Sequence, residues 1–225
     1  KYLKILKRKI LYLLKKSEYR EKYYPYFLAK EKGISTWPSQ LVNTKQFKRK
    51  LEQLNLDYIL VFTFKILKDF IFNIPKYGTI NFHPALLPKH RGASPDFWTV
   101  LFQEKETGIT FHFIDKNIDT GSIIEQYKIP LSGFEDSKLL THISNYIGTE
   151  LFVRLIIKLK HGYKIIPIKQ NNHKASYEKP PQKHDKLINE TNTFSDVERI
   201  IKASANYGYA NFIYNNKEYK IIDCF

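Results

Sequence analysis

The sequence predicts an α/β protein with a mostly parallel sheet, and three observations predict it. Tyr58-Ile59-Leu60-Val61-Phe62 is an unbroken apolar run, the signature of a strand covered on both faces. Helical patterns alternate with such runs along the chain, which is how strand–helix–strand units are written. Thr79-Ile80-Asn81-Phe82-His83 reads as a further buried strand, ended by Pro84, which has no amide to give to a ladder.

Each element follows from its own pattern. Residues 2–24 place Leu3, Ile5, Leu6, Ile10, Leu11, Leu13 and Leu14 at helical spacing among lysines, and read as a basic amphipathic helix packed on the sheet rather than laid on a membrane. Phe27 to Lys32 reads as a helix end stopped by Gly33, with Ile34-Ser35-Thr36 as a short strand. A charged helix over Gln46–Leu54 takes Asn43 or Thr44 as its cap, and Lys65–Phe72 reads as helix. Pro95 and Asp96 open a helix through Phe102, Gly108–Ile114 alternates as a strand, and Ile123–Ile129 pairs with it. Asp136 or Ser137 starts a long helix to about Lys160, with Gly148 inside it at some cost in propensity.

Beyond Gly162 the character changes. Lys169–Asp185 is polar and holds Pro180-Pro181, so it reads as a linker. Phe194-Ser195-Asp196 caps a helix to Ala203, and Tyr209–Tyr214, Asn215-Asn216 and Glu218–Ile222 spell a β-hairpin. A hairpin that short is rarely stable alone and must pack on the main domain or on a second subunit. The expected division is 1–162 as the main domain, 163–190 as linker and 191–225 as a small helix and hairpin.

The chain has 225 residues, 43% of them hydrophobic, enough for a sizeable core. Charged residues break every apolar stretch short of a membrane span, so a soluble protein is expected. Cys224 is the sole cysteine, which leaves no intrachain disulfide framework and points to the cytoplasm. The chain opens on Lys1 and contains no Met, from which residues before Lys1 are expected. A formal net charge of +15 suggests an anionic partner. The cations are mostly Lys, in a chain also rich in Ile, Asn, Tyr and Phe, which reads as compositional bias; a non-catalytic nucleic-acid-binding protein is the alternative from another class.

The chemistry lies between Thr79 and Gly121. Asn81 and His83, two apart on a strand, share a face, and Pro84 places His83 at the strand's C-terminal edge, where ligands of open α/β sheets collect. Asp119-Thr120-Gly121 answers them downstream. An amide, an imidazole and a carboxylate are the groups needed to move an acyl group onto an amine. Asn81 can donate to an oxyanion, and His83 can share that load and relay a proton. Asp119 can orient the imidazole, stabilise its cation, or hold a water that carries the proton. Singly, an Asn-x-His at a strand end or an Asp-Thr-Gly turn is commonplace. A zinc site from His83, His90 and Asp119 lacks supporting ligand spacing, and no metal is expected.

Asn81-Phe82-His83-Pro84-Ala85-Leu86-Leu87-Pro88-Lys89-His90-Arg91-Gly92, then Pro95 and Trp98, Glu106-Thr107-Gly108-Ile109-Thr110 and Ile118-Asp119-Thr120-Gly121-Ser122-Ile123-Ile124 resemble the 10-formyltetrahydrofolate-dependent formyltransferases. The resemblance covers about Ile34 to Gly162. It implies a Rossmann-like formyltransferase fold, N10-formyltetrahydrofolate as cosubstrate, and Asn81, His83 and Asp119 as catalytic residues. It further implies that Phe62, Phe64, Lys65, Ile66 and Leu67 meet the folate and that Asp115, Lys116, Asn117 and Ile118 close over it. Two departures stand out: His90 replaces the family's usual Tyr, and the opening strand and glycine turn are missing before the first helix.

The acceptor must be read from the rest. The stretch after Gly162 is too short for the barrel with which methionyl-tRNA formyltransferases grip tRNA, and is superfluous in glycinamide ribonucleotide formyltransferases. Pro95, Phe97 and Trp98, Ser176-Tyr177, the helix around Arg199 and the terminal hairpin look like sugar N-formyltransferases. That resemblance implies a nucleotide-linked amino deoxysugar such as dTDP-4-amino-4,6-dideoxyglucose or a 3-amino relative, destined for O-antigen or other surface polysaccharide, and a homodimer through the C-terminal segment. Pro84, Lys89, Arg91, Tyr177 and Tyr207 are the expected acceptor contacts, with Tyr209 as another candidate to stack on the base. A folate hydrolase of the same fold would normally bring a regulatory domain ahead of this one.

Overall fold

The structure, a computed structural model, describes residues 26–62, 65–215 and 217–221. The basic helix expected over 2–24, Phe64 of the folate segment, Asn216 of the hairpin turn and Ile222 at its end lie outside the described residues. The chain divides into two compact units, residues 1–47 and 48–225.

In the first unit the helix over 26–31 ends as the glycine predicts: Gly33 adopts φ +67°, and the Ile34 N–H donates back to the Ala29 carbonyl at 2.7 Å. Ile34–Thr36 is extended chain rather than a strand, because no ladder partner flanks it among the described residues. Helix α1 (Lys45–Glu52) begins at Thr44, whose Oγ1 accepts the Phe47 N–H at 3.2 Å and donates to the Leu41 carbonyl at 2.6 Å.

The second unit is built on a four-stranded sheet of β1 (Ile59–Phe62), β2 (Thr79–His83), β4 (Glu106–Phe113) and β5 (Ile123–Pro130) in the order β1-β2-β4-β5. The α/β class stands. β1 and β2 pair in parallel, whereas β4 runs antiparallel to both β2 and β5, so the described sheet carries a parallel pair and an antiparallel flank. An apolar run reports burial and not strand direction, which is why the flank was not visible in the pattern. Between β1 and β2 the helix α2 is a single turn, Asp69–Phe72, shorter than the expected Lys65–Phe72, because Lys68 is extended (ψ 153°).

Strand alternation gives the sheet two chemical faces. Ile80, Phe82, Ile109 and Phe111 point to one and are buried, packed with Leu151 and Leu155 of the long helix α4 (Ser137–Lys160). The Asp136 side chain caps that helix by accepting the Leu139 N–H at 2.6 Å. Gly148 is the point of closest approach: a Cβ there would sit 2.2 Å from Cε2 of Phe82, so only glycine lets helix and sheet meet. The opposite face carries Asn81, His83 and His112.

The remaining elements are β3 (Arg91–Gly92), α3 (Pro95–Leu101), β6 (Tyr177–Glu178), β7 (Leu187–Ile188), α5 (Phe194–Ser204), and the hairpin β8 (Ala210–Tyr214) with β9 (Lys217–Ile221). β3 pairs in parallel with β6, which ties the polar stretch around Tyr177 to the loop after β2. Thr193 and Asp196 cap α5 reciprocally. Ile200, Ala203 and Ala210 of the C-terminal elements share a core with Phe97, Val100 and Leu101 of α3 and Leu140 of α4. That shared core satisfies the need of so short a hairpin for a support.

Candidate active site

The floor of the site is set by register. Asn81 of β2 lies opposite His112 of β4, and His83 lies opposite Thr110. Side chains opposite one another on adjacent strands share a face, so Asn81, His83 and His112 are brought to one surface by pairing alone. Thr110 then fixes the loop after His83: its hydroxyl donates to the Ala85 carbonyl at 2.6 Å and accepts the Leu87 N–H at 3.2 Å. Gln126 adds an amide donor to the Leu87 carbonyl at 2.8 Å.

Asp119 reaches this floor from the loop between β4 and β5. Its Oδ2 accepts the Gly92 N–H at 2.9 Å and stands 3.7 Å from His83 Nδ1, while Oδ1 lies 3.5 Å from both Asn81 Nδ2 and His112 Nε2. Gly92 can present its amide so closely because it adopts φ +100°, and because a Cβ there would meet the Glu178 carbonyl at 2.3 Å.

Two carbonyl oxygens decide the proton positions. His83 Nε2 lies 2.8 Å from the His90 carbonyl and His112 Nδ1 lies 2.8 Å from the Phe113 carbonyl; carbonyls only accept, so both nitrogens carry hydrogen. Neutral His83 therefore presents a bare Nδ1 toward Asp119. With its hydrogen on Nδ1, His112 accepts from Asn81 Nδ2 at 3.2 Å through Nε2. Burial lowers the His83 pKa below its usual 6.5; the Asp119 charge and the hydrogen bond to the His90 carbonyl oppose the fall and the His112 ring adds to it. Burial works against the Asp119 charge, but the His112 and His83 rings, which donate to and attract the carboxylate once protonated in acid, and the Gly92 amide together outweigh it and hold the carboxyl at about 2.

A cleft of about 750 Å³ opens over this face. Asn81, His83 and Asp119 line it, as do Lys65, Ile66, Leu67, Asp115, Lys116, Asn117 and Ile118 of the expected folate side. Phe62 does not: its ring stacks on Phe82 at a centroid distance of 4.1 Å, drawn into the core by strand alternation. On the acceptor side Pro84, Tyr177 and Tyr207 line the cleft.

Lys89 and Arg91 do not line the cleft. Lys89 is exposed and pairs with Glu104 at 3.1 Å. Arg91 is buried and turned to Gln170 Oε1 (2.8 and 3.0 Å) and Asn172 Oδ1 (2.9 Å), while the Gln170 amide donates to the Asp119 and Gly121 carbonyls. Three of its five N–H donors are used in this way, bracing the Asp119 loop from behind through Gln170. Charge alone announced a cation, not which acceptors would claim it.

Sequence reasoning missed His112, Asp96, Thr141 and Asn206, all of which line the cleft. A histidine inside the apolar strand Ile109–Ile114 was the available signal for the first; the others depend on helix–helix packing that spacing does not encode.

Fold and site together define an α/β protein whose ligand cleft lies over the edge of its sheet, floored by an Asn and a His that both face one Asp. The chain belongs to the formyl transferase family, whose sequence profile matches residues 12–156. It is 39% identical over 152 residues to the methionyl-tRNA formyltransferase of Caldanaerobacter subterraneus subsp. tengcongensis, covering 67% of this chain and 49% of that one. A crystal structure of a 4-N formyltransferase from Francisella tularensis superposes with a TM-score of 0.71 at 20% identity, covering 90% of this chain and 81% of that one. WlaRD, a sugar 3N-formyl transferase crystallised in the presence of dTDP and 5-N-formyl-THF, gives 0.66 at 24% identity over 86% and 66%. The chain spans about half the length of the first of these relatives. Among the described residues no helix is long and apolar enough to cross a membrane.

Proposed function

We propose that this chain moves a formyl group from N10-formyltetrahydrofolate to the amine of a nucleotide-linked amino deoxysugar. The observation that carries the reaction is the convergence of Asn81, His83 and Asp119 in one cleft with a bare imidazole nitrogen facing an ionised carboxylate.

The donor side suits a folate. Ile66 and Ile118 leave much of their side chains exposed beside Leu67 and Ile114 at the cleft, a surface that a flat heterocycle would cover. The folate supplies the activated formyl group; the rest falls to this chain. One N–H of Asn81 is committed to His112 at 3.2 Å, and the other makes only the long 3.5 Å contact to Asp119. That second N–H is the one to turn its hydrogen bond to an oxyanion. His83 Nδ1 takes the proton released as the amine forms its new C–N bond, and Asp119 stabilises the resulting imidazolium until the proton passes to the departing nitrogen.

The acceptor reading is supported by Tyr177, Asn206 and Tyr207, which bring the polar linker and the C-terminal elements into the cleft wall and leave a space of small-molecule size. Surface-polysaccharide synthesis is the use this substrate class suggests. The sequence relative favours a second reading, methionyl-tRNA as acceptor. Formyl transfer assayed with dTDP-4-amino-4,6-dideoxyglucose, its 3-amino relative, methionyl-tRNA and glycinamide ribonucleotide separates the two. Turnover with an amino sugar nucleotide above the others is expected, and turnover with methionyl-tRNA alone would replace the sugar reading.

A further inference from the structure

Resting on the amino-sugar reading, we propose that Asp96, set between Tyr207 and Thr141, is the specificity-determining residue that binds the acceptor's amino group in its ammonium form.

Asp96 sits in the first turn of α3 and is 8% exposed, yet it lines the cleft. Tyr207 donates to its Oδ1 at 2.5 Å and Thr141 to its Oδ2 at 2.6 Å. Both donors are neutral. Among the described residues no Lys, Arg or His pairs with Asp96. A buried carboxylate with only neutral donors keeps most of its charge unanswered, and a cation arriving from the cleft would complete it.

Counting hydrogens sharpens the chemistry. Tyr207 has one phenolic hydrogen, spent on Asp96, so it offers the cleft only lone pairs. Burial and the Asp96 charge raise the Tyr207 pKa, which keeps that hydrogen in place. Thr141 shares its single hydrogen between Asp96 Oδ2 at 2.6 Å and the Ser137 carbonyl at 2.9 Å, and accepts from Asn206 Nδ2 at 3.1 Å. Apart from the Ser94 hydroxyl, which hydrogen-bonds Tyr207, this wall is anionic and rich in acceptors. Phosphate is repelled by it, while ammonium and hydroxyl groups are its complement. A substrate carrying both a diphosphate and an amine is oriented by that contrast, with the amine inward at Asp96.

The test is binding, free of turnover. Calorimetry compares dTDP-4-amino-4,6-dideoxyglucose, the analogue with hydroxyl in place of the amine, and dTDP itself, on the wild type, Asp96→Asn and Tyr207→Phe. The wild type should prefer the amine over the hydroxyl analogue by about tenfold or more, in keeping with a charge-assisted contact. Asp96→Asn should bring that ratio near one and leave dTDP affinity within about threefold, while Tyr207→Phe, which keeps the charge, preserves the preference. A wild type without the preference, or an Asp96→Asn protein that retains it, overturns the inference and leaves the amino-sugar reading intact if the sugar is still formylated. If the wild type neither binds nor formylates an amino sugar nucleotide, both fall together.

Discussion

Asp119 Oδ2 stands 3.7 Å from His83 Nδ1, on the far side of an imidazole whose Nε2 hydrogen is fixed to the His90 carbonyl. The ring thus works in one direction, with one nitrogen anchored and the other available to the cleft. Burial lowers the His83 pKa and the Asp119 charge raises it. Formyl transfer should rise with pH as His83 becomes neutral, along a limb centred below 6.5, and reach its plateau by neutral pH. Asp119→Asn removes the charge that props up that pKa, so the limb should move to lower pH while the plateau falls roughly 10²–10³-fold, by analogy with loss of a single charge-stabilising group. A pH profile of kcat/KM for both proteins checks it. A limb that moves upward would contradict the proposed role of Asp119.

Asn81 makes a different contribution. Its removal leaves His83 and Asp119 facing each other, so Asn81→Ala should lower kcat roughly 10²–10³-fold with little change in acceptor KM, the mark of an interaction made in the transition state. Asn81→Asp should be worse still, since it sets a carboxylate against a developing oxyanion. Steady-state kinetics with the preferred acceptor decides. An alanine variant at full activity would remove Asn81 from the mechanism.

Asn81 and His83 were legible because alternation on one strand is a local property. His112 was not, since its place beside Asn81 comes from the register of β2 with β4, fixed by partners 31 residues apart. Asp119 was a candidate from its carboxylate chemistry and again from family resemblance, but nothing in Asp119-Thr120-Gly121 says that a glycine amide at Gly92 will hold its carboxylate. Arg91 shows the opposite failure. Its charge looked destined for an anionic substrate, but neutral amides, Gln170 and Asn172, met it first. The α/β class was readable from apolar runs, whereas the antiparallel flank was not, because hydrophobicity carries no strand direction.

Acid should unfold the protein through the same pair. Asp119 is held at about 2 against an ordinary 3.8, so its stabilisation is complete above 3.8 and lost as pH falls toward 2, a contribution of about 2 kcal/mol. The folded-state pKa of His83 lies below its unfolded 6.5, so its contribution falls in the same direction, starting as pH drops through 6.5. Urea midpoints measured from pH 7 to 3 should therefore decline, and Asp119→Asn should flatten the steepest part, below pH 4. An unchanged slope in that variant would mean that other carboxylates dominate acid unfolding.

Gly148 tests the packing that presents the site. In an exposed helix, Gly→Ala stabilises by about 1 kcal/mol through propensity. Here the added methyl would lie 2.2 Å from Cε2 and 2.6 Å from Cζ of Phe82, inside any tolerable contact, and Phe82 is itself stacked on Phe62 and has nowhere to retreat. Overpacking typically costs about 1–3 kcal/mol, so the clash should outweigh the propensity gain and Gly148→Ala should lower Tm by a few degrees. Phe82 shares β2 with Asn81 and His83, and activity should fall with it as the strand is pushed. In a Phe82→Leu background the ring that creates the clash is gone, so Gly148→Ala should cost less there than in the wild type. A double-mutant cycle by thermal unfolding measures that coupling, and strict additivity would show that the helix meets the sheet elsewhere.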